Sequence, residues 1–154
     1  DPRIDAAYHR SRLRAGDLLF TIRGTVGRMA FVPTALDGAN ITQDTARISI
    51  SKANPHFIRY CLEMPISRSF IDLHTLGQAV KGINLEWVRQ IPIPLPMAEE
   101  QERIASRLDL IDQEICSLRM EFGKVARLKT GLMQDLLSGR APVSKLLSQS
   151  ENKL

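Results

Sequence analysis

The chain of 154 residues carries 21 Lys/Arg against 17 Asp/Glu, a net charge of +4, with 44% apolar and 25% charged residues. Such a length and composition allow one modest core and argue against a disordered or fibrous chain. No apolar run approaches a membrane span, no signal peptide opens the chain, and Cys61 and Cys116 stand outside any metal spacing, as expected of reduced residues in a cytoplasmic protein.

Residues 1–15 are polar and arginine-rich, with Arg3, Arg10, Arg12 and Arg14 around Tyr8 and His9. They read as a loop or short edge element. Gly16-Asp17 turns into Leu18-Leu19-Phe20-Thr21-Ile22, a short apolar run expected to be a buried strand. Gly24 and Gly27 bracket Thr25-Val26, and Met29-Ala30-Phe31-Val32 reads as the returning strand, stopped by Pro33. Arg23 and Arg28 flank this connection, which suits either close approach to a phosphate backbone or a plain hairpin with solvated arginines. Residues 35–40 form a loop. Asn40, Thr42 and Gln43 can hydrogen-bond base edges, and they are equally ordinary turn residues. Residues 45–51 then alternate, with Ala46, Ile48 and Ile50 on one face and Arg47 and Ser49 on the other, as in a half-buried strand.

Asn54-Pro55 is a helix start, an Asn cap followed by Pro at the first helical position. The helix runs through Phe57, Ile58, Cys61 and Leu62 until Pro65 ends it, and a second piece follows over 66–74. Residues 77–84 read as a polar loop holding Gln78 and Lys81. Asn84 then caps one turn around Trp87, a lone tryptophan expected to anchor the core. In Ile91-Pro92-Ile93-Pro94-Leu95-Pro96, proline at alternate positions removes ladder donors, leaving an edge strand or extended linker whose three apolar residues pin it to the domain. This linker marks the expected domain boundary.

From about Met97 to Ser138 one helix is expected. Ile104, Leu108, Ile111, Ile115, Leu118, Phe122 and Val125 are spaced alternately by four and three, the period of a seam laid against another helix. Lys129 interrupts the seam and Leu132 and Leu136 resume it. Glu99, Glu100 and Glu102 suit a helix N-terminus, and Gly139 and Pro142 signal its end. Forty residues give a rod of roughly 60 Å, too long to bury its stripe alone. The fold class is therefore α+β: a small mixed domain over 1–96, a coiled-coil-type helix over 97–139 and a tail over 140–154.

Charge divides along the same line. Residues 1–96 hold 12 Lys/Arg against 8 Asp/Glu, while residues 97–154 hold 9 of each. A cationic head on a neutral spacer is what a polyanion-binding module would look like. Catalytic equipment is missing by contrast. No glycine-rich cofactor loop and no Gly-Lys-Ser/Thr phosphate cradle is present, and His9, His56 and His74 have no metal spacing. Asn54-Pro55 is followed by His56-Phe57 rather than the second proline and aromatic residue of an amino-methyltransferase.

The run Ile91–Pro96 followed by Glu100-Gln101-Glu102-Arg103-Ile104-Ala105 resembles the junction of recognition domain and conserved helix in type I restriction-modification specificity subunits. Leu108–Asp112, Leu128–Met133 and Asp135–Gly139 continue the likeness, and Gly16–Phe20 and Arg23–Gly27 resemble the strand-and-loop signature of that recognition domain. The resemblance implies a non-catalytic, cofactor-free subunit that binds double-stranded DNA and holds methyltransferase and restriction subunits on a split target. Members usually have two recognition domains and two such helices, packed antiparallel. With one of each and no initiating Met, this chain is expected to be a half-subunit forming an antiparallel homodimer, or a piece of a longer subunit.

On that basis Arg10, Arg12, Arg14, Arg23, Arg28 and Lys81 are the candidate phosphate contacts, and Thr25, Asn40, Thr42, Gln43, Gln78 and Asn84 the candidate base readers. Ile104, Leu108, Ile111, Ile115, Leu118, Phe122, Val125 and Leu132 are the candidate helix-pairing residues. Two other classes compete. A dimeric scaffold with a protein-binding head would ignore DNA, and a transcription regulator would need a recognition helix that the Pro65 break leaves unconvincing.

Overall fold

The computed structural model describes residues 12–142, so Arg10 lies outside the described residues. The chain divides into two compact units, Asp1–Arg107 and Leu108–Leu154.

The first unit is built on an antiparallel sheet in which β1 (Leu18–Thr21) lies between β2 (Met29–Phe31) and β3 (Thr45–Ile48). Alternation decides which face is buried. Leu18 and Phe20 are fully buried, Leu18 beside Phe31 and Ile48 and Phe20 beside Met29 and Ala46. Across β3, Arg47 is exposed while Ala46 and Ile48 are half-buried.

Two helices cover the buried face. In α1 (Pro55–Glu63), Asn54 Oδ1 accepts from the Phe57 amide at 2.9 Å and Pro55 opens the first turn, as the sequence predicts. Phe57, Ile58, Cys61 and Leu62 recur at helical spacing and are buried. Burial also pushes the Cys61 thiol pKa up, whereas Cys116 is exposed. Pro65 ends α1 and begins α2 (Pro65–Leu73) at its first turn, where a missing N–H costs nothing. Ile71 completes the core with Ile83, Ile91 and Ala105.

Several expectations change. The polar loop over 77–84 is in part a hairpin, β4 (Thr75–Leu76) paired with β5 (Gly82–Ile83). Strands of two residues each are too short to display alternation. Trp87, in α3 (Leu85–Arg89), is no core anchor: it is 39% exposed and stacks on His74 at 3.9 Å between centroids. In the proline-rich segment Ile91 is buried and Ile93 half-buried, but Leu95 is 65% exposed, so two residues pin the linker rather than three.

The long helix α4 (Ala98–Leu137) is one unbroken element, and Gly139 follows it with a left-handed φ of +71°. The first unit runs past Pro96 to Arg107 because the first turns of α4 bury Gln101 and Ala105. Gln101 is the polar joint. Its Oε1 accepts from the Asn54 amide at 3.0 Å, and its Nε2 donates to the Pro96 carbonyl at 2.8 Å. Asn54 Nδ2 donates to Glu102 Oε2 beside it.

From Leu108 onward α4 forms the second unit. The expected seam is open to solvent: Leu118 is 57% and Phe122 75% exposed, Ile111, Ile115, Val125 and Leu132 are exposed, and Leu108 is half-buried. Ile104, in the first unit, is also exposed. No helix among the described residues is long and apolar enough to cross a membrane.

Candidate nucleic-acid interface

The loop between β1 and β2 owes its shape to small residues and two polar clamps. Gly24 and Gly27 adopt left-handed φ of +77° and +82°, which side-chain-bearing residues rarely accept. Thr21 Oγ1 donates to the Thr25 carbonyl and accepts from the Arg28 amide at 2.9 Å. From α2, Arg68 Nη1 donates to the Gly27 carbonyl at 2.8 Å. A Cβ on Gly27 would come within 2.7 Å of that same nitrogen. The loop is held from within by Thr21 and from outside by Arg68.

Main-chain hydrogen bonds tie this loop to two others. Ile22 N and Arg23 N both donate to the Asp44 carbonyl, at 2.8 and 3.2 Å. On the other side, Gly24 N donates to the Lys81 carbonyl at 2.8 Å and Ile83 N to the Ile22 carbonyl at 2.9 Å. The loops at 22–27, 42–44 and 77–82 thus converge at one end of the sheet. They carry Arg23, Thr25, Thr42, Gln43, Gln78 and Lys81, all exposed, and Arg28 is paired across from Thr21 at the same end.

The remaining candidates gather elsewhere. Arg12 bridges Asn40, and the Arg14 amide donates to Asp17 Oδ2 at 2.8 Å, so these residues lie at the opposite end of β1, about 10 Å along the strand. What the sequence presents as one basic set is two clusters. Arg47 braces the second, donating to the Arg12 carbonyl at 2.9 Å and pairing with Asp17 at 3.5 Å. Asn84, also exposed, caps α3, its Oδ1 accepting from the Glu86 amide at 3.0 Å.

Cations outnumber anions on these loops. Arg23 faces Asp44 at 3.8 Å, but both side chains are more than half exposed, so the pair is weak and easily exchanged. Arg14, Arg28 and Lys81 have no ion pair among the described residues. Sequence reasoning missed Arg68 and Asp72, both on α2 beside the loop. Nothing in the sequence separates them from surface residues of an amphipathic helix.

A family model described as the type I restriction modification DNA specificity domain matches residues 7–120, which includes every described loop of this interface and the first part of α4. The chain belongs to that family. Among curated relatives of this specificity-domain family, the Escherichia coli type I restriction enzyme EcoBI specificity subunit is 29% identical over 137 residues, 88% of this chain. A protein of Methanocaldococcus jannaschii described as a type I restriction enzyme MjaX specificity subunit is 32% identical over 129 residues, 82% of this chain. The chain spans 29% of the length of each. The crystal structure of a type I restriction-modification S subunit from M. genitalium shares the fold. Its TM-score is 0.60 at 18% identity, over 81% of this chain and 33% of that one. The α+β architecture with one long helix is thus shared with part of that S subunit.

Proposed function

We propose that this chain reads one half of a bipartite DNA target for a type I restriction-modification complex. The observation that carries the reading is the convergence of three exposed loops, bound to one another through the main chain, that bring Arg23, Arg28 and Lys81 together with Thr25, Thr42, Gln43 and Gln78. The cations set affinity and register by contacting phosphates, Lys81 also lying within reach of base edges, and the hydroxyl and amide side chains between them read base edges. Arg12 and Arg14, with Asn40, engage a neighbouring stretch of backbone from the other end of β1, and Arg10, outside the described residues, is a further candidate phosphate contact.

Two copies pair antiparallel along the α4 seam from Ile104 to Leu132, placing one head at each end, and a symmetric pair matches a palindromic bipartite site. The paired helices fix the unread spacer. Methyltransferase subunits, and the restriction subunit with them, dock on this frame and supply the chemistry. The chain itself contributes recognition without catalysis or cofactor.

The test is a salt titration of duplex binding by the chain together with its methyltransferase. The logarithm of the association constant should fall linearly with the logarithm of salt concentration, and Arg28→Gln should reduce the slope by about one. A flat response would remove the interface, and light scattering that finds no dimer would remove the pairing.

A further inference from the structure

Beside the β1–β2 loop lies a cleft of about 530 Å³, lined by Gly24, Thr25, Val26, Asp72, Thr75 and Lys81. Asp72 is out of place by two measures. It stands in the last turn of α2, where the negative end of the helix dipole disfavours a carboxylate. It also stands beside loops whose cations outnumber their one other carboxylate, Asp44, and a further negative charge weakens any contact with phosphate. Asp72 has no ion pair among the described residues, although Lys81 lines the same cleft.

The cleft's hydrogen-bonding character is lopsided. Thr75 spends its hydroxyl proton on the Ile71 carbonyl at 2.7 Å, so towards a ligand it offers only lone pairs. Asp72 offers lone pairs as well, and Lys81 is the strong donor. A C·G pair in the major groove presents the complement: the cytosine N4 amino group donates, and guanine O6 and N7 accept. Adenine fits less well. Its N6 amino group donates, but the adjacent N7 lone pair would oppose a carboxylate.

Building on the DNA-reading function above, we propose that Asp72 is a specificity-determining residue that accepts a hydrogen bond from the N4 amino group of a cytosine, with Lys81 donating to the paired guanine. Gly24, Thr25 and Val26 of the clamped β1–β2 loop line the same cleft as Asp72. Asp72→Asn suits the test because the side chain is exposed, nearly isosteric and without a partner whose loss would unfold the domain.

The experiment selects bound duplexes from a pool of randomised 30-base-pair DNA, using the complete complex of chain and methyltransferase, and sequences them. Wild type should select a bipartite motif containing a C·G pair. Asp72→Asn should lose cytosine at one position of each half-site, by roughly 5- to 150-fold in discrimination and with a turn towards adenine, while the other positions hold. An unchanged motif would overturn the inference. So would uniformly tighter binding to all duplexes, the sign of a carboxylate that merely repels phosphate. A wild-type motif without any C·G pair would also sink it while leaving the DNA-reading function standing. A wild-type complex that selects no motif would overturn both.

Discussion

If α4 pairs as proposed, one substitution should break the pairing without disturbing the head. Leu118 sits midway along the seam and is 57% exposed in the single chain. Full burial of a leucine is worth about 1.5–3 kcal/mol, so covering the exposed part of Leu118 contributes about 1–1.7 kcal/mol per copy. Symmetry doubles the loss in Leu118→Glu to about 2–3.5 kcal/mol, and two carboxylates brought into an apolar seam add to it. The dimer dissociation constant should therefore rise at least about 30- to 400-fold. Sedimentation velocity across a concentration series measures it, and thermal unfolding of the head should stay where it was. Leu110→Glu is the matched control: Leu110 is 58% exposed, off the 3.5-residue seam, and should leave the dimer intact. An unchanged Leu118→Glu dimer would refute pairing through this stripe. Equal effects of the two substitutions would refute its register.

Two further substitutions test the polar clamps. Gln101→Ala leaves the half-buried Asn54 amide and Pro96 carbonyl without their partner, at about 1–3 kcal/mol for two lost hydrogen bonds, so the thermal midpoint should drop by at least about 4 °C; a drop under about 2 °C would contradict the joint. Arg68→Ala removes a charge-assisted bond to the Gly27 carbonyl worth about 1.5–3 kcal/mol, so hydrogen exchange at the Gly27 amide should quicken roughly tenfold or more. Exchange that stays at the wild-type rate would mean that Thr21 alone shapes the loop.

Much of this fold is written in local signals. Leu18 and Phe20 alternate, Asn54 caps before a proline, and the four-three spacing from Ile104 to Val125 lies in plain view; each is a short-range pattern with one physical solution. The features that were hidden depend on what arrives from elsewhere in the chain. Gln101 stands within Glu99-Glu100-Gln101-Glu102, a run that looks wholly solvated, and becomes buried only because α1 begins beside it. Arg68 gains its role from a carbonyl 41 residues away. The basic residues looked like one set because composition records charge and not position, and only the strand register divides Arg12 and Arg14 from Arg23 and Lys81. Trp87 misled for the opposite reason: a large aromatic usually goes inside, but a five-residue helix has too little surface to bury it.

The joint at Gln101 matters beyond its stability, because a helix of forty residues is a lever. With a length of roughly 60 Å, angular play of about 5° at its root displaces its tip by about 5 Å. That exceeds the 3.4 Å rise from one base pair to the next. If two such heads share one spaced DNA target, as proposed above, play of this size at the root of the helix would amount to more than one base pair. At that root a single amide, Gln101, makes two hydrogen bonds, gripping a proline carbonyl on one side and a helix-cap amide on the other.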